Sequence, residues 1–391
     1  MTGAAALDPI MRIFRQAQPH ESGRHRTRRT AGPRATGAFT TRDKDRTMAF
    51  ASPLRSLRGI GLKAAGIAAA ALIASAAVPP ALAQDMPELD LKFGHPYNED
   101  HPLAKGAQMF ADIIAEKSGG KITIAVFPNS TIGSSRDLVE AMQIGAVDFA
   151  LVPTTNVASF YEPLDIFYLP FLFRDKEHAY AVADGPVGQK LYADMLDKIG
   201  IRTIGMYESG FRTITTRDTK VEMPDDMKGI KFRVVNNPLN VDTFKALGAN
   251  PTPMALSEVF TALQQGTVDG QDNPVGNVKA FGFDKVQKNI TLSHHQWAGI
   301  MFLADDKMWA ELPDNVKELF AETALETQEW ERKALNEQEG EFLAEMEAGG
   351  MVVTRLTPEQ SQAFQDAMEP VWNTYRDKLG NDLIESAVNA K

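Results

Sequence analysis

The chain contains no cysteine among its 391 residues. Disulfides, thiolate metal sites and thiol nucleophiles are therefore excluded. It also lacks a phosphate-binding P-loop and a G-x-S-x-G elbow, so neither a nucleotide engine nor a serine-hydrolase turn is built in. Its most apolar stretch, Ala64 to Val78, is fifteen residues long and rich in alanine, short of the roughly 20 that a spanning helix needs. Basic charge is scarce beyond the N-terminal part. Residues 1–83 hold 13 of the 41 Lys and Arg and 4 of the 51 Asp and Glu, which leaves the remainder at a net charge of −19. So acidic a body makes a poor partner for nucleic acid, whose phosphates need a basic field. Internal repeats and heptads are missing from that remainder too.

The N-terminus reads as two successive segments. Residues 1–47 are rich in arginine, including Arg24, Arg26, Arg28, Arg29 and Arg34. They have little apolar surface to bury and are expected to be a disordered or mis-annotated extension. A second methionine, Met48, is the expected start. Residues 48–83 then have the form of a secretory signal peptide: basic Arg55, Arg58 and Lys63, the apolar stretch, and Ala81-Leu82-Ala83 as the cleavage site. Cleavage after Ala83 sends a chain beginning at Gln84 to the periplasm.

From there the pattern is α/β. Leu89–Gly94, Ile122–Phe127 and Val147–Val152 read as strands, with helical spacing in Leu103–Lys117 and Arg136–Ile144 between them. The aromatic segment Phe160–Phe173 reads as a buried crossover, with an aromatic binding wall as the alternative. A helical stretch from His178 to Ile199, interrupted at Gly185-Pro186, leads into a strand at Ile201–Tyr207. The pattern changes at Gly210. A second α/β unit runs from Ile230 to Asp272, with Asn273 in the loop VDGQDNP. Gln296–Leu303 reads as a strand, Asp314–Met346 as a long helix, Met351–Leu356 as a last strand and Pro358–Leu379 as a last helix. A chain that passes between two α/β halves, with a long helix common to both, predicts a two-lobed binding protein. Ligands in such folds sit in the crevice beyond the carboxyl ends of the strands.

Signals for catalysis are weak. His95, Glu99 and His101 match no standard metal spacing, and no metal or cofactor is expected. The adjacent His294 and His295 read as ordinary strand residues. No acid/base pair stands out, so an enzyme is not expected. An arginine inside an apolar strand is more informative. Arg233 lies in IKFRVV, and a guanidinium buried there needs an anionic partner. That partner is either an internal carboxylate or the carboxylate of a ligand, which the guanidinium fork fits in bidentate fashion. Arg212, after Gly210-Phe211, is a second candidate. Asn273 offers a carboxamide that can both donate and accept.

Three stretches, MKGIKFRV, LGANPTPMALSEVFTALQQGTVDGQDNP and FPNSTIGSSRDLVEAMQIGAVDFA, together resemble the solute-binding proteins of tripartite ATP-independent periplasmic (TRAP) transporters. The resemblance covers Leu91 to about Tyr375. It implies a Venus-flytrap fold that closes over an organic acid and delivers it to integral membrane subunits driven by an ion gradient. It implies that Arg233 forms a salt bridge to the ligand carboxylate, with Arg212 and Asn273 as further contacts. The acidic residues that sialic-acid binders of the family carry near Ser135 and Pro153 are missing. His95, Glu99, Arg136, Thr154, Asn156, Phe211, Asn236 and Trp297 are expected to line the rest of the pocket, with an aromatic face stacking on a sugar ring. A sugar acid, uronate or aldonate, is the expected ligand and a C4-dicarboxylate the alternative. A sensor for a membrane receptor built on the same fold is the alternative role. The expected lobes are residues 84–209 plus 299–338, and 210–298 plus 339–391, in a monomer.

Overall fold

A computed structural model describes residues 86–391; the expected signal peptide and the extension before it lie outside the described residues. The chain begins with β1 (Leu89–Gly94), α1 (Pro102–Lys117), β2 (Ile122–Phe127), α2 (Ser135–Gln143), β3 (Phe149–Pro153) and α3 (Thr154–Ala158). The α1 helix starts at an N-cap, His101, whose ring accepts the Leu103 N–H, and Pro102 occupies the first turn, where its missing N–H costs nothing. Next come α4 (Lys176–Asp184) and α5 (Pro186–Ile199), restarted at Pro186 as the sequence indicates, and then β4 (Ile201–Thr216). The second unit holds β5 (Lys231–Val234), α6 (Pro238–Ala246), β6 (Asn250–Pro253), α7 (Leu256–Gln265), β7 (Gly270–Pro274) and α8 (Val275–Ala280). The chain ends with β8 (Asn289–Leu292), β9 (Trp297–Asp305), α9 (Asp306–Glu311), α10 (Asp314–Ala348), β10 (Val352–Arg355), α11 (Pro358–Asp366), α12 (Glu369–Leu379) and α13 (Asn381–Val388).

The strands connect in the order β2-β1-β3-β9-β4-β7-β5-β6, with β8 also on β4 and β10 on β8. On one side β1, β2 and β3 are parallel; on the other β5, β6 and β7 are parallel. Antiparallel β9 and β4 join the two groups. The joining strand β4 is a single run of 16 residues, where the sequence suggests a strand ending at Tyr207 and a new pattern after Gly210. Its register with β9 shifts between Glu208 and Gly210, and Gly210 takes φ 100°. The irregularity leaves the Glu208 N–H to the buried Glu331 carboxyl of α10, at 3.2 Å, and pairing resumes beyond it.

Two apolar cores result. Phe93, Phe110, Phe149, Phe302 and Phe320 form the centre of one. Val259, Leu263, Val278, Ile290 and Met346 form the other. The α10 helix supplies Phe320 to the first and Met346 to the second. At 35 residues it is about 50 Å long, and it runs unbroken through Gly340.

Three further local readings change. The segment Gly270–Pro274, expected as a loop, is a wholly buried strand. Its composition lacks β-branched residues, but β4 and β5 flank it on either side and supply the pairing. His294 and His295 lie between β8 and β9 rather than within a strand. The expected last helix, Pro358–Leu379, is two, and α13 follows beyond it. Pro370 has no N–H and its ring clashes with the carbonyl four residues back, so α11 stops at Asp366 and α12 starts afresh.

Candidate functional site

A cavity of about 140 Å³ opens where the carboxyl ends of both parallel groups converge. Pro96 follows β1, Pro153 ends β3, Val235 and Asn236 follow β5, Met254 follows β6 and Asn273 is the last residue but one of β7. The joining strands contribute Ser209 and Arg212 from β4 and Ala298 and Ile300 from β9. Six of the expected site residues line this cavity: Arg212, Arg233, Asn273, Asn236, Arg136 and Asn156.

The two buried arginines differ in their partners. Arg212 binds Asp272 through Nε to the carboxylate and through Nη2 to the backbone carbonyl. Its Nη1 donates to the Tyr168 hydroxyl at 2.7 Å. Burial alone pushes the Asp272 carboxyl up, but the Arg212 guanidinium and the hydrogen bond from His295 outweigh it and hold the group well below the usual carboxylate range. Arg233 has no such partner. Its Nε and Nη2 both donate to the Met254 carbonyl, at 3.1 and 2.7 Å. Its Nη1 is buried without a hydrogen bond, and no ion pair reaches the side chain among the described residues. Burial pushes the guanidinium down to about 10, opposed by Asp272 and reinforced by Arg212, so it remains cationic at neutral pH. A buried cation in this state attracts an anion strongly.

Asn273 is held from two sides. Its Nδ2 donates to the Gln271 side chain at 2.5 Å, and its Oδ1 accepts from Asn277 Nδ2 at 3.0 Å. Asn236 is exposed at the mouth. Arg136, half-exposed, pairs with Glu140 at 3.0 Å and lies 4.9 Å over the Phe160 ring.

The remaining expected residues are not among those lining the cavity. Trp297 is fully buried, donates to Glu208 at 2.9 Å and packs on Phe167, Phe173 and Tyr180. All of β9 is buried, so alternation along it could not tell which side faces a ligand. Phe211 packs against His294. Glu99 is exposed, Thr154 is buried, and the buried His95 ring stacks on Tyr97. His101 serves as the α1 cap and as a partner of Asn277. Burial holds its ring at about 4, against the opposing Asn277 hydrogen bond, so it is neutral.

Residues that the sequence did not single out complete the site. Tyr168 reaches the cavity from the aromatic segment; its signal, a polar tip inside an otherwise apolar run, was present. Asp272 was hidden among 51 acidic residues. Met254 acts through its carbonyl, which leaves no trace in side-chain chemistry.

Residues 93–378 match the model of the DctP family, bacterial extracellular solute-binding protein, family 7. The chain belongs to this family. A curated relative is the 2,3-diketo-L-gulonate-binding periplasmic protein YiaO of Escherichia coli K12, 31% identical over 76% of this chain and 89% of that protein. Two solved structures superpose on this chain. One is a periplasmic solute-binding protein from Sulfurospirillum deleyianum with bound succinate, 34% identical, TM-score 0.74, covering 78% of this chain and all of that one. The other is the sugar acid binding protein DctPAm from Advenella mimigardefordensis with galactonate, 32% identical, TM-score 0.76, covering 78% and 98%. The chain is thus a TRAP solute-binding protein with the two-lobed fold of that family, a class that carries solutes to a transporter.

Proposed function

We propose that this chain captures an organic acid outside the cytoplasm and delivers it to the integral membrane subunits of a TRAP transporter. The observation that carries the reading is the buried Arg233 guanidinium at the strand ends, which has no carboxylate partner among the described residues. The ligand carboxylate occupies that position, with Arg212 and Asn273 beside it. The ligand is a sugar acid, a uronate or an aldonate. No carboxylate is among the lining residues, and Ser130, Ser134, Ser135, Asn156, Asn236 and Ser257 offer neutral polar groups suited to hydroxyls. The galactonate and diketogulonate ligands of its relatives support the same class.

The protein works as a monomer without turnover. Its lobes, residues 84–209 plus 299–338 and residues 210–298 plus 339–391, close by a hinge motion around the ligand. Residues 48–83 direct it to the periplasm and are removed after Ala83. A C4-dicarboxylate is the second reading, favoured by Arg136, a further cation on the same cavity. The test is a thermal-shift panel on the protein from Gln84 onward with galactonate, glucuronate and succinate. A ligand binding only the native state stabilises it by RT ln(1 + [L]/Kd). A shift with the sugar acids and none with succinate is expected. Absence of any shift refutes the reading, and a shift with succinate alone moves the ligand to the dicarboxylates.

A further inference from the structure

Asn273 belongs to a line of buried side chains whose hydrogen bonds have one consistent direction. The line begins at a backbone donor. The Leu103 N–H, an otherwise unpaired donor at the start of α1, donates to His101 Nδ1 at 3.1 Å. That nitrogen therefore carries no proton, and in the neutral ring the proton sits on Nε2. Nε2 lies 2.9 Å from the Asn277 side-chain oxygen and must donate to it. The Ser209 hydroxyl donates to the same oxygen at 3.2 Å. Asn277 is thereby oriented with Nδ2 toward Asn273, whose Oδ1 accepts at 3.0 Å. Asn273 Nδ2 in turn donates to Gln271 Oε1 at 2.5 Å. Gln271 Nε2 donates to the Thr215 hydroxyl at 2.7 Å, and that hydroxyl donates to the Gln271 backbone carbonyl. The far end is thus a backbone acceptor. A group that can only donate and one that can only accept close the two ends, and every carboxamide between them has a single allowed setting.

We propose that His101 and Asn277 are positioning residues of the binding site, which lock the Asn273 carboxamide so that its second Nδ2 hydrogen is left for an oxygen of the ligand carboxylate. The inference rests on the reading of Asn273 as a ligand contact. With Arg233 beside it, the anchoring end of the pocket then offers donors to the ligand and discriminates against a ligand group that must itself donate. Without His101 the direction is lost, because the Ser209 hydroxyl can donate or accept, and the Asn273 amide is free to take its reversed setting.

The experiment uses whichever of galactonate, glucuronate and succinate stabilises the wild type most, together with the primary amide of the same acid. Calorimetry gives both affinities for the wild type, His101→Leu, His101→Gln and Asn277→Ala, each first shown to melt cooperatively. The acid-to-amide affinity ratio should fall about tenfold in His101→Leu and Asn277→Ala. It should be kept in His101→Gln, whose carboxamide can accept from Leu103 and donate to Asn277 as the imidazole does. A general loosening of the fold weakens acid and amide alike and leaves the ratio unmoved. An unchanged ratio in either folded variant overturns the proposal, and Asn277→Ala tests it without touching the helix cap. A wild type that binds none of the acids refutes the ligand reading itself, before any variant is made.

Discussion

Asp272 pairs with Arg212 and leaves Arg233, which lines the same cavity as Arg212, without a carboxylate among the described residues. Among the described residues, two buried guanidiniums and one buried carboxylate leave Arg233 as the unmatched buried charge of this cavity, whose other cation, Arg136, is half-exposed and paired with Glu140. Arg212 is therefore a positioned donor whose charge is already matched, and Arg233 is the group with an electrostatic need.

Arg233→Met tests this division. Removing one partner of a buried, charge-assisted pair costs roughly 2–5 kcal/mol of binding, so affinity for the organic acid should fall about 30-fold or more. The ligand-free protein should melt no lower than the wild type, since an apolar side chain replaces an unmatched buried charge. Calorimetry and thermal melting read the two effects separately. Unchanged affinity would remove Arg233 from the anchor.

Asp272→Asn should behave in the opposite way. It leaves Arg212 buried with no counter-charge, a loss of about 3–5 kcal/mol of stability. The pH dependence follows from the depressed carboxyl. The unfolded chain binds the proton more readily than the folded one, so the contribution is complete above pH about 4 and drains away as the pH falls below it. Melting temperatures between pH 2 and 7 should converge for wild type and variant at the acid end. Parallel curves would show that the Asp272 carboxylate is not the source.

Asp165 is a buried carboxyl with the reverse sign. Burial pushes it up to about 6, against the Asn237 hydrogen bond at 2.8 Å; Glu162 adds to the rise and Lys378 opposes it. Here the folded state holds the proton more tightly. Stability should fall as the pH rises from about 4 to 6, by about 2–3 kcal/mol for a shift of this size, and stay at the lower level above that. Asp165→Asn keeps an acceptor for Asn237 and removes the ionisation. It should be more stable than the wild type at pH 7 and match it near pH 4, as read by denaturant titration. A variant less stable at pH 7 would mean that the charge itself is used.

The sequence showed most of this framework because the strongest signals are local. An arginine in an apolar strand is conspicuous, and Arg233 and Arg212 both reach the cavity. The long uncapped helical pattern at Asp314–Met346 became α10, which serves both cores. What stayed hidden depended on partners distant in the chain. Gly-Gln-Asp-Asn-Pro has no strand propensity of its own and becomes β7 only between β4 and β5. The choice of Asp272 for Arg212 is made by cross-strand register. Trp297 could have faced either way on a strand covered on both sides, and it points into the core.

Gly340 offers a test of whether α10 bends. It lies inside α10, between Leu335 and Met346, which are buried in different surroundings, and a Cβ added there would meet nothing within 4 Å. Glycine in a helix interior costs up to about 1 kcal/mol relative to alanine. Gly340→Ala should therefore stabilise the ligand-free protein by about 0.5–1 kcal/mol. If α10 moves as a rigid rod when the lobes close, acid affinity will be unchanged. If the helix bends at Gly340 during closure, the stiffer variant will bind more weakly although it melts higher. Measuring melting temperature and Kd on the same preparation separates the two, and the rigid rod is expected, because the backbone ladder of α10 runs through Gly340 without a break.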